Sequence, residues 1–340
     1  MNSVPVTSPT LTPTAAPLEF RRLQLGSLPS DRTLLGARVL GSRADAVGAT
    51  LLAPAGTWGD AWLADGQLEH RRHGCVHYAS NGEWLHGVAE IDDALAEGGL
   101  RAATHRAYAD LFEVLARSES RHLLRLWNYI ADINRETEGG ERYRQFNVGR
   151  QQAFLEAERS AFEGSPAACA LGTRSGPLRV YFLAGRRAPL AIENPRQVSA
   201  YRYPAAYGPR APTFSRAALA DVGGGRQALF ISGTASIVGH ETMHLGDVRR
   251  QTQESLVNIA ALREIASQRA GASFEADRLI YTVYVRRGED LDAVRSEFER
   301  AIGATSRAAR EALYLQADIC RAGLLVEIEA HGFVPFEDAT

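Results

Sequence analysis

Two carboxylates, Glu327 and Glu329, fall two residues apart in the run LLVEIEA, whose alternation fits a β-strand. Leu324, Val326 and Ile328 take one face of that strand, and Leu325, Glu327 and Glu329 the other. A carboxyl held among apolar neighbours favours its neutral form, which is what a general acid working near neutral pH requires. The plainer reading of the strand alone is a solvated acidic face, and the rest of the chain has to decide between the two. Cys320 lies seven residues before Glu327, just ahead of a short turn through Arg321 and Gly323. A buried cysteine is usually core filler, so Cys320 acquires a role only in company.

The cations are unusual. The sequence contains no lysine, so all 38 basic residues are arginine. Coding bias explains that simply, yet any anion site must then be built from planar, bidentate guanidinium groups, which suit carboxylates. Two segments concentrate them beside Tyr, Asn and Gln. One holds Arg144 and Arg150 around Gln145, Phe146 and Asn147; the other is the proline-interrupted stretch 188–216, with Arg202, Tyr207 and Arg216. Arg144 and Arg150 could instead pair with Glu141, Glu156 and Glu158 at helical spacing. A loop as long as 188–216 is either functional or unstructured, and its Tyr and Arg content argues for function. Together the two segments read as a binder of a small anion.

His240-Glu241-Thr242-Met243-His244 matches HExxH, which on a helix would place two imidazoles on one face to hold zinc, with Glu264 a conceivable third ligand. Its surroundings argue otherwise. The preceding FISGTASIVG is β-branched and glycine-punctuated, and Gly246 ends any helix within a turn. We read this segment as a loop after a strand and expect no metal there.

These groups need elements to carry them. Residues 18–92 read as β-rich, and 100–133 as the strongest helical pattern, with Tyr108, Leu111, Phe112, Leu115, Leu123, Leu126, Trp127 and Ile130 at three- and four-residue intervals. A break near 118–120 would divide it into two helices. Residues 141–162 read as helical with an interruption at Gly149. The last third gives strands at 227–232 and 278–286, helices at 251–270 and 291–302, and closing strands at 312–320 and 324–330, an α+β layer pattern. At 340 residues there is room for two domains, divided here as 18–165 and 166–340 after a Ser/Thr/Pro-rich tail at 1–17 read as disordered. Against 40 acidic residues the formal net charge is −2, so no basic field argues for nucleic acid or an anionic membrane. Three scattered cysteines suggest reduced thiols in a cytoplasm. Neither a signal peptide nor a run of 18 apolar residues is found, so no membrane association is expected.

The closing third resembles a YjgF/RidA-type domain through SGTAS, QTQESLVNIAAL and LLVEIEA in that order. More specifically, LLRLWNYIADIN, ERYRQFNVGRQQAF, YPAAYGPRAPTFSRA, SGTASIVGHETMHLGD and YLQADICR…LLVEIEA together resemble the chorismatases, over residues 123–332. The resemblance implies an α+β fold with a YjgF/RidA-like (chorismate-mutase-like) carboxy-terminal catalytic domain and a diverged, related amino-terminal α+β domain. It implies an enzyme that releases pyruvate from chorismate without a cofactor, with Glu327 protonating the enolpyruvyl methylene. Glycine at 233 and cysteine at 320 are the pattern of the subgroup that ends in an aromatic hydroxybenzoate. The expected product is 3-hydroxybenzoate, with a mixed 3-/4-hydroxybenzoate or a dihydroxycyclohexadiene acid as alternatives. A non-catalytic RidA-like binding protein is the reading from another class. Two substrate carboxylates want guanidinium partners, for which Arg150, Arg202 and Arg216 are chosen, with Tyr207 lining the pocket. A monomer and a trimer are equally compatible with the resemblance.

Overall fold

Strand pairing in the computed structural model, which describes residues 17–24, 34–41, 43 and 46–335, builds two large sheets that face each other. All but the last residue of the predicted tail at 1–17 lies outside the described residues. The first sheet has seven strands in the order Asp318–Ile319, Ala167–Thr173, His122–Ala131, Leu178–Gly185, Trp84–Ile91, Val76–Ser80 and Glu69–His73. The second runs Leu190–Ile192, Ala217–Asp221, Arg226–Ala235, Val326–Pro335, Ile280–Val285, Leu313–Gln316 and Thr50–Ala53. A three-stranded sheet (Leu18–Gln24, Trp58–Ala64 and Leu34–Leu40) packs beside them. Each large sheet is covered by helices on its outer face. Gly99–Ala116 and Arg142–Glu156 share one apolar cluster with the first sheet, and Val248–Ala270 and Leu291–Ile302 another with the second. Trp127, Tyr129 and Tyr181 of the first sheet meet Phe230, Tyr284 and Leu315 of the second in a third cluster between them. The architecture is therefore α+β in four layers, helix–sheet–sheet–helix.

Residues 122–131 are a strand, which corrects the reading of 100–133 as helical throughout. The helix stops at Ala116, close to the expected break. Beyond it Leu126 and Ile130 face the helices while Trp127 and Tyr129 face the second sheet, so both faces are apolar. A strand buried on both faces loses its period of two, and short apolar runs of that kind are ambiguous between strand and helix. Gly149 does not interrupt its helix either. A Cβ there would lie 2.3 Å from the carbonyl oxygen of Arg101, so the missing side chain lets the two outer helices cross in contact. By sheet membership Ala167–Thr173 and Leu178–Gly185 belong to the first sheet, and Leu190–Ile192 opens the run of strands that builds the second. Each half also lends the other a strand: Thr50–Ala53 closes the second sheet and Asp318–Ile319 the first.

Candidate active site

The strand Val326–Pro335 lies in the middle of the second sheet, paired on both sides. Val326, Ile328 and Ala330 join the cluster under the helices, which sends Glu327 and Glu329 to the other face, toward the first sheet. Both are buried, at 3% and 4% exposure, so the alternation is as expected while the plainer reading of a solvated acidic face fails. The partner strand Arg226–Ala235 carries a register shift between Ile231 and Thr234, and Gly233 sits in it beside Glu327.

Glu327 lines a cavity of about 330 Å³ between the two sheets, at the low end of the range for small-molecule sites. Burial, reinforced by the neighbouring charge of Glu329, pushes its carboxyl up to about 8 against the opposing pull of Arg125, Arg216 and Arg286. No described residue donates a hydrogen bond to it. Cys320 and Gly233 line the same cavity. Burial and the Glu327 carboxyl push the Cys320 thiol up to about 12, so it is a neutral wall group at neutral pH and not a thiolate.

Of the three chosen arginines, two reach the cavity. Arg150 is 1% exposed; its Nη2 donates to Asn147 at 2.8 Å and its guanidinium lies 4.8 Å from the Phe146 ring centre. Arg216, 4% exposed, donates through Nη2 to the Val198 carbonyl at 2.8 Å and to the Tyr203 hydroxyl at 2.7 Å. In both, the buried Nε has no partner. Arg202 is a correction: it is exposed, stands near the ring of Tyr201 and does not line the cavity. It belongs to a one-turn 3₁₀ helix, Ala200–Arg202, and composition alone could not distinguish the two sides of that turn.

Besides Arg144, whose Nε donates to Glu141 at 3.2 Å, the cavity is lined by Arg321, which the sequence reading passed over as part of a turn. Its guanidinium lies 3.9 Å from the ring centre of Tyr207 and 4.8 Å from that of Tyr203, and its buried Nη2 is unpaired. Tyr207 lines the cavity as expected. Tyr143, on the helix Arg142–Glu156, was also missed; burial holds its hydroxyl well above the usual range. Its adjacency to Arg144 was the available signal, but the side chains at 143 and 150 share a face only once 142–156 is known to be a single helix.

His240 and His244 do not form a metal pair. Glu241–Thr242 is a two-residue strand hairpinned against Ile237–Val238, so the imidazoles never share a helical face. His240 Nδ1 lies 3.3 Å from the Tyr207 hydroxyl, and His244 Nε2 lies 3.3 Å from Glu254. Among the described residues there is no group of three or more His, Cys, Asp or Glu that could hold a metal ion, and no helix is long and apolar enough to cross a membrane.

Residues 60–184 match the family described as chorismatase FkbO/Hyg5-like, N-terminal. A protein of Streptomyces hygroscopicus named 3-hydroxybenzoate synthase is 41% identical over 292 residues, which is 82% of this chain and 83% of that one. A protein of Streptomyces rapamycinicus named chorismatase is 38% identical over 93% of this chain and 98% of its own length. A chorismatase crystal structure superposes with a TM-score of 0.82 at 33% identity, spanning 95% of this chain and all of that one. A member of the YjgF/YER057c/UK114 family from Mycobacterium tuberculosis is similar over 35% of the chain, at 28% identity and a TM-score of 0.25. With relatives this similar over most of its length, and with the fold they share, the chain belongs to the chorismatase family of enzymes.

Proposed function

We propose that this protein converts chorismate into 3-hydroxybenzoate and pyruvate, with Glu327 as the proton donor. The observation that carries the reading is a buried carboxyl, kept protonated to about pH 8, open to a cavity whose walls hold three arginines with unspent nitrogens. Chorismate offers two carboxylates to such a wall, and Arg150, Arg216 and Arg321 are the groups to hold them. Bidentate pairing in a site shielded from water fixes orientation as well as charge.

Glu327 gives its proton to the enolpyruvyl methylene, which becomes a methyl group, and the ether carbon becomes electron-poor. The bond from the ring to the ether oxygen then breaks, and that oxygen leaves as the keto oxygen of pyruvate. The oxygen of the adjacent ring hydroxyl bonds to the vacated carbon, and its bond to its original ring carbon breaks. Loss of a proton from ring carbon makes the ring aromatic and balances the proton Glu327 supplied. Chorismate has the atoms of hydroxybenzoate plus pyruvate, so neither water nor a redox partner enters the sum. Water must be kept from the reactive carbon, and the neutral Cys320 thiol together with the Gly233 backbone closes the wall around the acid.

The name of the Streptomyces hygroscopicus relative supports the choice of 3-hydroxybenzoate among the possible products. The test is incubation with chorismate, with pyruvate measured enzymatically and the ring product identified by chromatography that resolves the 3- and 4-isomers and the diol. Glu327→Gln, near-isosteric, is expected to lose pyruvate release while keeping its circular dichroism spectrum and melting temperature. Full turnover by that variant would eliminate Glu327 as the acid.

A further inference from the structure

The proposed reaction leaves a second buried carboxyl unused. Glu329 stands one strand repeat from Glu327 on the same face, about 7 Å away by strand geometry. The two have opposite surroundings. Glu329 accepts from Arg125 at 2.5 Å, from Arg38 at 3.1 Å and from the Tyr284 hydroxyl at 3.0 Å. Arg38 donates further to Asp60 at 3.0 Å and to the Tyr129 hydroxyl at 2.9 Å, and Asp60 also accepts from Arg22 at 2.7 Å. The chain of contacts runs from the small sheet (Arg22, Arg38, Asp60) through the first large sheet (Arg125, Tyr129) to the second (Tyr284, Glu329). Three guanidiniums meet two carboxylates in it. Glu327, in contrast, receives no hydrogen bond from any described residue and opens to the cavity.

We propose that Glu329 is a positioning residue for the reaction: an anion locked by Arg38, Arg125 and Tyr284, whose fixed charge keeps the neighbouring Glu327 in its proton-bearing form. The inference rests on the reading of Glu327 as the proton donor. Two carboxyls whose environments push their affinities for protons apart are the usual basis for splitting acid from anion in one site. The groups facing Glu327 are Glu329 on its own strand, Arg125 and Cys169 from the first sheet, Arg216 and Arg286 from the second, Cys320 from the turn and Tyr143 from the outer helix. Among the charged ones, Glu329 is the anion and the arginines pull the other way. Burial works against ionisation of Glu329 as well, yet Arg38 and Arg125 hold it below the usual carboxylate range.

A purely structural tie among the sheets would affect folding but not the pH at which the enzyme loses activity. Glu329→Gln removes the anion and leaves Arg125 uncompensated. The alkaline limb of kcat is expected to fall by about one to two pH units, with kcat below the limb kept within a few-fold. Arg125→Gln removes an opposing cation and is expected to move the limb upward. Limbs that stay in place in both variants, or activity lost equally at every pH, would overturn the proposal. Should Glu329→Gln fail to fold, the Arg125 variant decides the direction. Infrared difference spectra of the wild-type protein against Glu327→Gln decide the starting point: one protonated carboxyl stretch present at pH 7 and lost on substitution is expected, and its absence would overturn the pair assignment. Wild-type protein that releases no pyruvate from chorismate would instead defeat the reaction reading, while the infrared measurement would still test the carboxyl pair.

Discussion

Gly233→Ala perturbs the acid without touching it chemically. A Cβ at position 233 would stand 1.9 Å from Oε1 and 2.6 Å from Cδ of Glu327, and 3.0 Å from Cβ of Cys169. Gly233 is not in the left-handed region, so alanine is allowed by the backbone and the whole effect is steric. The Cys169 contact is tight and gives little. The carboxyl is the movable partner, and it must withdraw by about 1.5 Å to regain ordinary contact at 3.4 Å. A misplacement of about 1 Å costs on the order of 100-fold in rate, or about 3 kcal/mol of transition-state stabilisation. We therefore expect 3-hydroxybenzoate formation to fall by about two orders of magnitude. The displaced carboxyl also opens room for water beside the ether carbon, so a non-aromatic diol should appear among the products. Initial rates of pyruvate release and chromatographic quantification of each ring product, both below pH 7, give the rate and the partition separately. A variant that makes 3-hydroxybenzoate at the wild-type rate and in the wild-type ratio would refute the placement of Gly233 against the proton donor.

Two further outcomes follow from the same geometry. In the proposed mechanism Glu327 acts in its protonated form, which burial favours to about pH 8, so kcat should be flat below that pH and fall about tenfold per unit above it; a limb near pH 5 would mean an ordinary, solvated carboxyl. Arg216→Gln and Arg321→Ala each remove a cavity guanidinium and should raise KM for chorismate by about 10- to 100-fold, the worth of a charged hydrogen bond, whereas Arg202→Ala should leave kcat/KM unchanged. Equal losses in all three would show that the cavity wall has been misassigned.

Much of the fold was legible because its elements obey local rules. The strands and helices of the last third fall close to where alternation and helical spacing put them, since each has one face toward a helix layer or a sheet and a clear period. The misreadings share one cause, contact on a second side. His122–Ala131 lies between the helices and the second sheet, so its apolar residues filled both faces and mimicked a helix. Gly149 looked like a breaker because nothing local signals that another helix will press against it. Arg202 and Arg321 were ranked in the wrong order for a related reason. Arginine content marks a segment as anion-binding, but only the placement of Tyr203 and Tyr207 decides which guanidinium is held over the cavity.

The acid itself shows where such reading stops. Alternation correctly set Glu327 and Glu329 on one face, but it is the same whether that face meets water or a second sheet. What separates the cases is whether counter-charges arrive from elsewhere in the chain, and here they do: Arg38 and Arg125 meet Glu329 from positions hundreds of residues away. Arg125 could not be recognised as a partner while its segment was taken for a helix, because a helix would not alternate Arg125, Trp127 and Tyr129 onto the face that opposes the glutamates. Once 122–131 is a strand, the pairing makes physical sense of two buried acids side by side. One has its charge met by guanidiniums and stays ionised; the other is left without a donor and keeps its proton. Which of the two adjacent carboxyls ionises is thus decided by the guanidiniums that the small sheet and the first large sheet bring to Glu329.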